Sequence, residues 1–150
     1  MLNKYYCRQK ITVAMKEKLI ALTFTHQHFA KESVMDAINL NKKLDLINDY
    51  WSPKIISSFN DNDVMLVKVK GEFVWHSHED TDDFFLLLKG KLRIETENGP
   101  VDLNEGELHV VPRGISHRPV ATEEAHILLI EPKGTPNTGD PDTAAKKTAF

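Results

Sequence analysis

Two histidines separated by one residue, His76 and His78, precede Asp83, and a third imidazole, His117, follows the turn Pro112-Arg113-Gly114. On an extended strand, residues i and i+2 point to the same face about 6 to 7 Å apart. Both rings can therefore reach one ion at about 2.1 Å. Asp83 comes after the polar stretch Glu79-Asp80-Thr81-Asp82 and heads an apolar run, so a hairpin return would carry its carboxylate back toward the rings. The Pro-x-Gly turn sets the direction of the chain just before His117. Three nitrogens and a carboxylate oxygen suit one divalent ion, Fe, Mn, Ni or Zn. The chemistry expected of such a centre is polarisation of water or substrate at the positions that the protein leaves open.

Those side chains need strands to aim them. From about residue 53 the sequence alternates short β-type runs with turn formers, the pattern of a sandwich or barrel. Strands are expected near Lys54 to Ser58, Val64 to Lys70, Phe73 to His78, Asp83 to Lys89, Lys91 to Glu95, Glu107 to Val111, Arg118 to Ala121 and His126 to Glu131. Asp61-Asn62-Asp63, Gly71, Gly90, Asn98-Gly99-Pro100, Asn104-Glu105-Gly106 and Pro112-Arg113-Gly114 separate them as turns. Phe85 and Leu87 share the parity of Asp83 and are expected in the pocket. Phe84, Leu86 and Leu88 then face outward and need a cover, for which a second copy of the chain is expected. Lys68 and Arg118 are candidate holders of an anionic ligand. Trp75 has the opposite parity to the histidines and is assigned to core packing or an interface, His109 and His126 to structural roles, and Glu79 and Asp80 to solvent.

The rest of the chain is less patterned. Residues 1–35 read as an extension with a partly helical stretch over about 13 to 30, and they carry a second His-x-His pair, His26 and His28, without partner ligands. Ser33 and Asp36 resemble a weak capping box, and a short helix is expected around Lys42 to Asn48 behind Asn41. After Glu131 the composition shifts to Pro, Gly, Thr, Asn and Lys; the body of the fold is assigned to 36–140, and 141–150 to a flexible tail. A length of 150 residues with 41% hydrophobic residues suits one domain. A net charge of −3 offers no basic field for a phosphate backbone, so nucleic acid is not an expected partner. The single cysteine, Cys7, has no internal disulfide partner, and the most apolar early stretch, Leu19 to Phe24, is far shorter than the roughly 20 residues of a membrane span. A cytoplasmic protein without a membrane segment is the expectation.

The two site segments resemble the paired motifs of the cupin superfamily. That pattern is a glycine, His-x-His, a spacer of three or four residues, Glu, six residues and Gly; later come Gly, five residues, Pro-x-Gly, two residues, His, three residues and Asn. His76, His78, position 83, Gly90, Gly106, Pro112, Gly114 and His117 fall in register. Gly71 sits one residue closer to His76 than in the pattern, Asp83 replaces Glu, and Ala121 stands where Asn is common. The resemblance covers about residues 53 to 131. It implies a mainly β fold, the double-stranded β-helix or jelly-roll barrel, and is strongest to small single-domain, phosphomannose-isomerase-like cupins, many of which dimerise. Asp83 is shorter than Glu by roughly 1.5 Å, so two arrangements stay open: direct ligation, or a water between the ion and a carboxylate that orients it.

Two functions follow. One is a metal-dependent enzyme on a small molecule, of isomerase, epimerase, lyase or dioxygenase type, with a sugar or sugar phosphate as one substrate class. The other is a non-catalytic binding or sensing module whose metal anchors a ligand. The pocket wall discriminates them, since a catalytic site needs a titratable group beside the open face of the metal.

Overall fold

A computed structural model describes residues 36–150. The readings made for residues 13 to 30, for His26 and His28, and for Ser33 lie outside the described residues. The described chain is mainly β, with one short helix, α1 (Leu40–Leu44), and eight strands: β1 (Lys54–Phe59), β2 (Asn62–Glu72), β3 (Asp83–Lys89), β4 (Lys91–Thr96), β5 (Val101–Asn104), β6 (Leu108–Val111), β7 (His117–Pro132) and β8 (Thr148–Ala149). Among the described residues no helix is long and apolar enough to cross a membrane.

The longest strand organises the rest. Antiparallel β2 pairs along one edge of β7, from Asn62↔Pro132 to Glu72↔Val120. The other edge of β7 is shared: its first half takes β4, with Thr96↔His117 and Arg93↔Val120, and its second half takes β3, with Lys89↔His126 and Phe84↔Ile130. The sequence suggests two strands here because Thr122, Glu123 and Glu124 are polar. The structure makes one, since those three residues are exposed at a bend where the β2 ladder skips from Ala125 to Ala121. A bulge of this kind bends a strand without ending it. The expected strand over 73 to 78 is instead an extended segment with a single bridge, His76↔His117. β5 is absent from the sequence reading because four residues between turn signals carry too little periodicity.

Alternation along these strands fills the interior. Met65, Val67, Val69, Phe85, Leu87, Leu92, Ile94, Leu103, Val111, Ala121, Ala125, Ile127 and Leu129 form one buried cluster. A second cluster, Leu44, Ile47 and Leu66, lies on the opposite face of β2, with Leu88 and Leu128 packed against it. At five residues, α1 is too short to persist alone. Asn39, not Asn41, caps it, its Oδ1 accepting from the Lys42 N–H at 3.0 Å, and the burial of Leu44 and Ile47 contributes about 2 kcal/mol each. The helix thereby covers part of the outer face that the sequence leaves bare. Leu108 and Val110 on β6 stay exposed, beside their β3 partners Leu86 and Phe84. Trp75 is also about half exposed, so core packing is excluded for it.

Candidate metal centre

Three local devices bring the four donors together. First, the backbones of His76 and His117 exchange both N–H···O bonds, at 3.0 and 2.9 Å, which puts their side chains on one face as direct neighbours. Second, the Gly114 N–H donates to the His78 carbonyl at 2.8 Å and the Arg113 N–H to Asp82 Oδ1 at 3.0 Å, tying the Pro-x-Gly turn to the His-x-His segment. Third, Asp83 opens β3 opposite Val111 of β6, inside the same ladder. The result is a tight cluster. Ring centroids lie 5.1 Å apart for His76 and His78, 4.3 Å for His76 and His117, and 6.0 Å for His78 and His117. One donor atom from each of His76, His78, Asp83 and His117 lies within 4.8 Å of every other, and all four residues are buried.

Protonation states follow from the partners. His76 Nδ1 faces the Val74 carbonyl and His117 Nδ1 faces the Ile115 carbonyl, each at 3.0 Å. A carbonyl can only accept, so both rings donate from Nδ1 and, when neutral, turn an Nε2 lone pair inward. Asp83 Oδ2 sits 3.2 Å from His117 Nε2 and 3.6 Å from His78 Nε2. Burial, then the neighbouring His117, lowers the His76 pKa to about 4, so this ring is neutral at pH 7. Burial also pushes His78 down, but the Asp83 carboxylate outweighs it and leaves His78 raised. Burial alone would lift Asp83; the adjoining His117 and His78 rings outweigh it and hold its carboxyl below the usual range.

The donor set fits a cation. His78 Nε2 and Asp83 Oδ1 are buried without a hydrogen-bond partner among the described residues, and a carboxylate oxygen aimed at imidazole lone pairs is repulsive unless positive charge lies between them. Ligands about 2.1 Å from one ion sit roughly 3.0 to 3.4 Å from each other at octahedral or tetrahedral angles, close to the spacing of Asp83 from the two rings. The shorter side chain at position 83 therefore reaches the cluster, because β3 begins at that residue.

A cavity opens onto His76 and Asp83. Trp51, Phe73 and Phe85 supply aromatic walls, Val67, Val69, Ile127, Leu129, Pro53 and Pro119 aliphatic ones, and Glu131 and Asn137 further polar groups. Trp51 adopts φ 58, a conformation that costs a non-glycine residue about 1 kcal/mol or more. Its indole stacks on Phe73 with centroids 5.0 Å apart and donates Nε1–H to the Lys70 carbonyl at 2.9 Å. Phe73 in turn meets His76 edge-on at 5.3 Å.

Comparison with known proteins supplies the family. A family model described as a cupin domain matches residues 63–131. The crystal structure of a cupin-2 domain containing protein from Shewanella frigidimarina is 46% identical, covers 65% of this chain and 95% of its own, and superposes with a TM-score of 0.64. The chain belongs to the cupin superfamily. A Neisseria meningitidis protein of solved structure is 33% identical over 65% of this cupin and all of its own chain, with a TM-score of 0.60. The Bacillus subtilis protein YdbB is 33% identical over 79 residues, 52% of this cupin and 70% of that protein. The strands described above are accordingly those of a jelly-roll β-barrel.

Of the four pocket candidates in the sequence, Phe85 alone lines this cavity. Leu87 has the right parity but lies deeper, fully enclosed in the core. Lys68 sits between Val67 and Val69, both of which line the cavity, so alternation turns it away. Arg118 has the opposite parity to His117 and is held outside by Glu95 at 2.7 Å and Glu72 at 2.6 Å, with its guanidinium 5.4 Å from the Trp75 ring. Neither cation is an anion holder in the cavity. The residues that sequence reasoning missed are Trp51, Phe73, Glu131 and Asn137. Glu131 shares the parity of Ile127 and Leu129, a signal the sequence did carry. His109 is partly exposed on β6 and His126 bonds Glu124 at 2.8 Å, both away from the cluster. Glu79 and Asp80 are exposed, as expected.

Proposed function

We propose that this cupin holds one divalent metal ion through His76, His78, His117 and Asp83 and is a metal-dependent enzyme acting on a small molecule with a compact apolar body, in a lyase, isomerase or dioxygenase reaction. The observation that carries the enzyme reading is Glu131, a titratable carboxylate on the cavity wall with His76 and Asp83. Burial, then the charge of Asp83, raises its pKa, which moves a carboxylate toward the range useful for proton transfer near neutrality. When bound, the ion supplies Lewis acidity that polarises an oxygen of the ligand. The three imidazoles and Asp83 fix the ion. Trp51, Phe73 and Phe85 hold an apolar ligand body and exclude water. Glu131 accepts a hydrogen bond from a ligand hydroxyl and holds or takes its proton. A sugar phosphate suits this lining poorly, since none of the described residues that line the cavity is Lys or Arg and a phosphate calls for charge-assisted donors.

The test is elemental analysis of the purified protein combined with a substrate panel, comparing metal-loaded, metal-stripped and His76→Ala protein. Turnover that requires the metal and disappears in His76→Ala is expected. Full metal occupancy with no metal-dependent turnover on any compound would favour the binding module, a reading supported by Ala121, which is buried in the apolar core where many cupins carry a polar Asn.

We also propose a homodimer through the outer face of β3 and β6. Leu108 and Val110 are 56% and 40% exposed next to half-buried Leu86 and Phe84, and among the described residues β6 pairs only with β3. A two-fold contact lets one such patch cover its own copy. Sedimentation at tens of micromolar should give a dimer, and a Val110→Lys/Leu108→Lys variant a monomer; a monomeric wild-type protein would refute the interface.

A further inference from the structure

Residues 133–150 return to the cavity, where Asn137 forms part of the wall. Gly139 (φ +72) lies against Ser77, the residue between His76 and His78, so closely that a Cβ there would overlap the Ser77 carbonyl oxygen. Asn137 lines the cavity and its Oδ1 accepts from the Ala145 N–H at 2.9 Å, folding the two arms of the strap together. Lys147 Nζ donates to Glu131 Oε2, with the two side chains only 11% and 4% exposed. Beyond it, β8 adds to β1 in parallel at Lys54 and Ile55, next to the cavity residue Pro53. About 40 Å³ is then left open to the centres of water-sized molecules, enough for a few waters.

The attachment is made in a way that opens readily. Two ladder pairs, joining exposed Thr148 and Ala149 to half-buried Lys54 and Ile55, contribute little. A buried ion pair is stabilised by Coulomb attraction but loses much of that gain to desolvation, and both charges regain water when it separates. We infer that residues 133–150 form a gate over the metal centre, latched by the Lys147–Glu131 ion pair, so that an ion or ligand reaches the cluster only when Lys147 withdraws. This inference rests on the reading of His76, His78, Asp83 and His117 as a metal centre. It assigns Lys147 and Gly139 to access and not to chemistry.

A gate changes the rates of entry and exit together and leaves the equilibrium affinity alone, which a merely structural contact does not. The experiment loads the full chain with Zn²⁺ and follows uptake and chelator-driven release. Lys147→Met, which breaks the latch, and Gly139→Ala, which lifts the strap without altering a charge, should each release Zn²⁺ at least tenfold faster. Gly139→Ala should also take it up faster, with Kd unchanged within about threefold, and Lys147→Arg should release at nearly the wild-type rate. Wild-type rates in both Lys147→Met and Gly139→Ala would overturn the gate while leaving the metal reading intact. Should the wild-type protein take up no Zn²⁺, it is the metal reading that fails; amide exchange then decides the gate, and unaltered exchange over residues 76–78 and 137–149 in Lys147→Met overturns it.

Discussion

Replacing His117 with alanine is expected to end stoichiometric metal uptake while the barrel stays folded. His117 is 1% exposed and joins the two halves of the cluster: its backbone bridges His76, its Nε2 faces Asp83, and its ring meets Phe85 edge-on at 6.0 Å. Removing a group that only orients a metal ligand costs 10- to 100-fold in affinity as a rough rule, and loss of a ligand itself should exceed about 100-fold. The truncation also leaves a hole beside Phe85, with a stability loss on the order of 2 to 4 kcal/mol in the metal-free protein. The backbone exchange with His76 survives, since it uses no side-chain atom. Metal titration by calorimetry, with denaturant unfolding of the metal-free protein, separates the two effects. His109→Ala is the control, because His109 sits on β6 outside the cluster and should bind metal as the wild type does. Equal affinities for His117→Ala and wild type would remove His117 from the centre.

The sequence carried this cluster because its information is local. His76 and His78 are two residues apart, Asp83 heads a strand, and His117 follows a Pro-x-Gly turn, so strand parity and turn chemistry point each group inward, and the register of the paired cupin motifs joins the two segments. The expected strand under His76 and His78 is only a bridge to His117, yet the parity argument holds, since one antiparallel bridge sets the face as a full ladder would. Parity gives a face but not a depth, which is why Phe85 lines the cavity and Leu87 does not. Charge alone singles out Lys68 and Arg118, the alternation of their own strands turns both away from the pocket, and the structure follows the alternation. The rest of the cavity depends on closure of the chain. Trp51 precedes β1, Asn137 and Lys147 follow β7, and only the completed barrel brings them to the same mouth as His76. No spacing rule connects Glu131 to Lys147, because their pairing is made by β8 adding to β1 at the far end of the chain.

Gly90→Ala is the second substitution expected to have a large effect, this time on the scaffold. Gly90 is the single residue between β3 and β4, where the chain passes from the second half of β7 to the first. It therefore lies against the bend of β7. A Cβ at Gly90 would come within 2.9 Å of the Glu124 carbonyl oxygen and 3.1 Å of the Ala125 Cα, both of them backbone atoms, and its φ of +91 is one that L side chains rarely adopt. The backbone conformation alone costs an alanine about 1 to 2 kcal/mol, and displacing a buried strand bend adds to that. A total near 3 kcal/mol, or a fall in Tm of roughly 10 °C, is expected for a domain of this size. Gly106→Ala provides the comparison, because Gly106 has φ +84 but open space around its would-be Cβ, so it should lose about 1 kcal/mol through conformation only. The effect should also reach the metal. Asp83 and Gly90 flank β3, whose register on β7 already slips between Leu87 and Lys89, so a shift at Gly90 moves the carboxylate relative to the three rings. Metal affinity should then fall in Gly90→Ala and hold in Gly106→Ala. Equal stability losses in the two variants would mean that the bend of β7 yields freely to a methyl group, and that the close approach at Gly90 does not fix the register of β3.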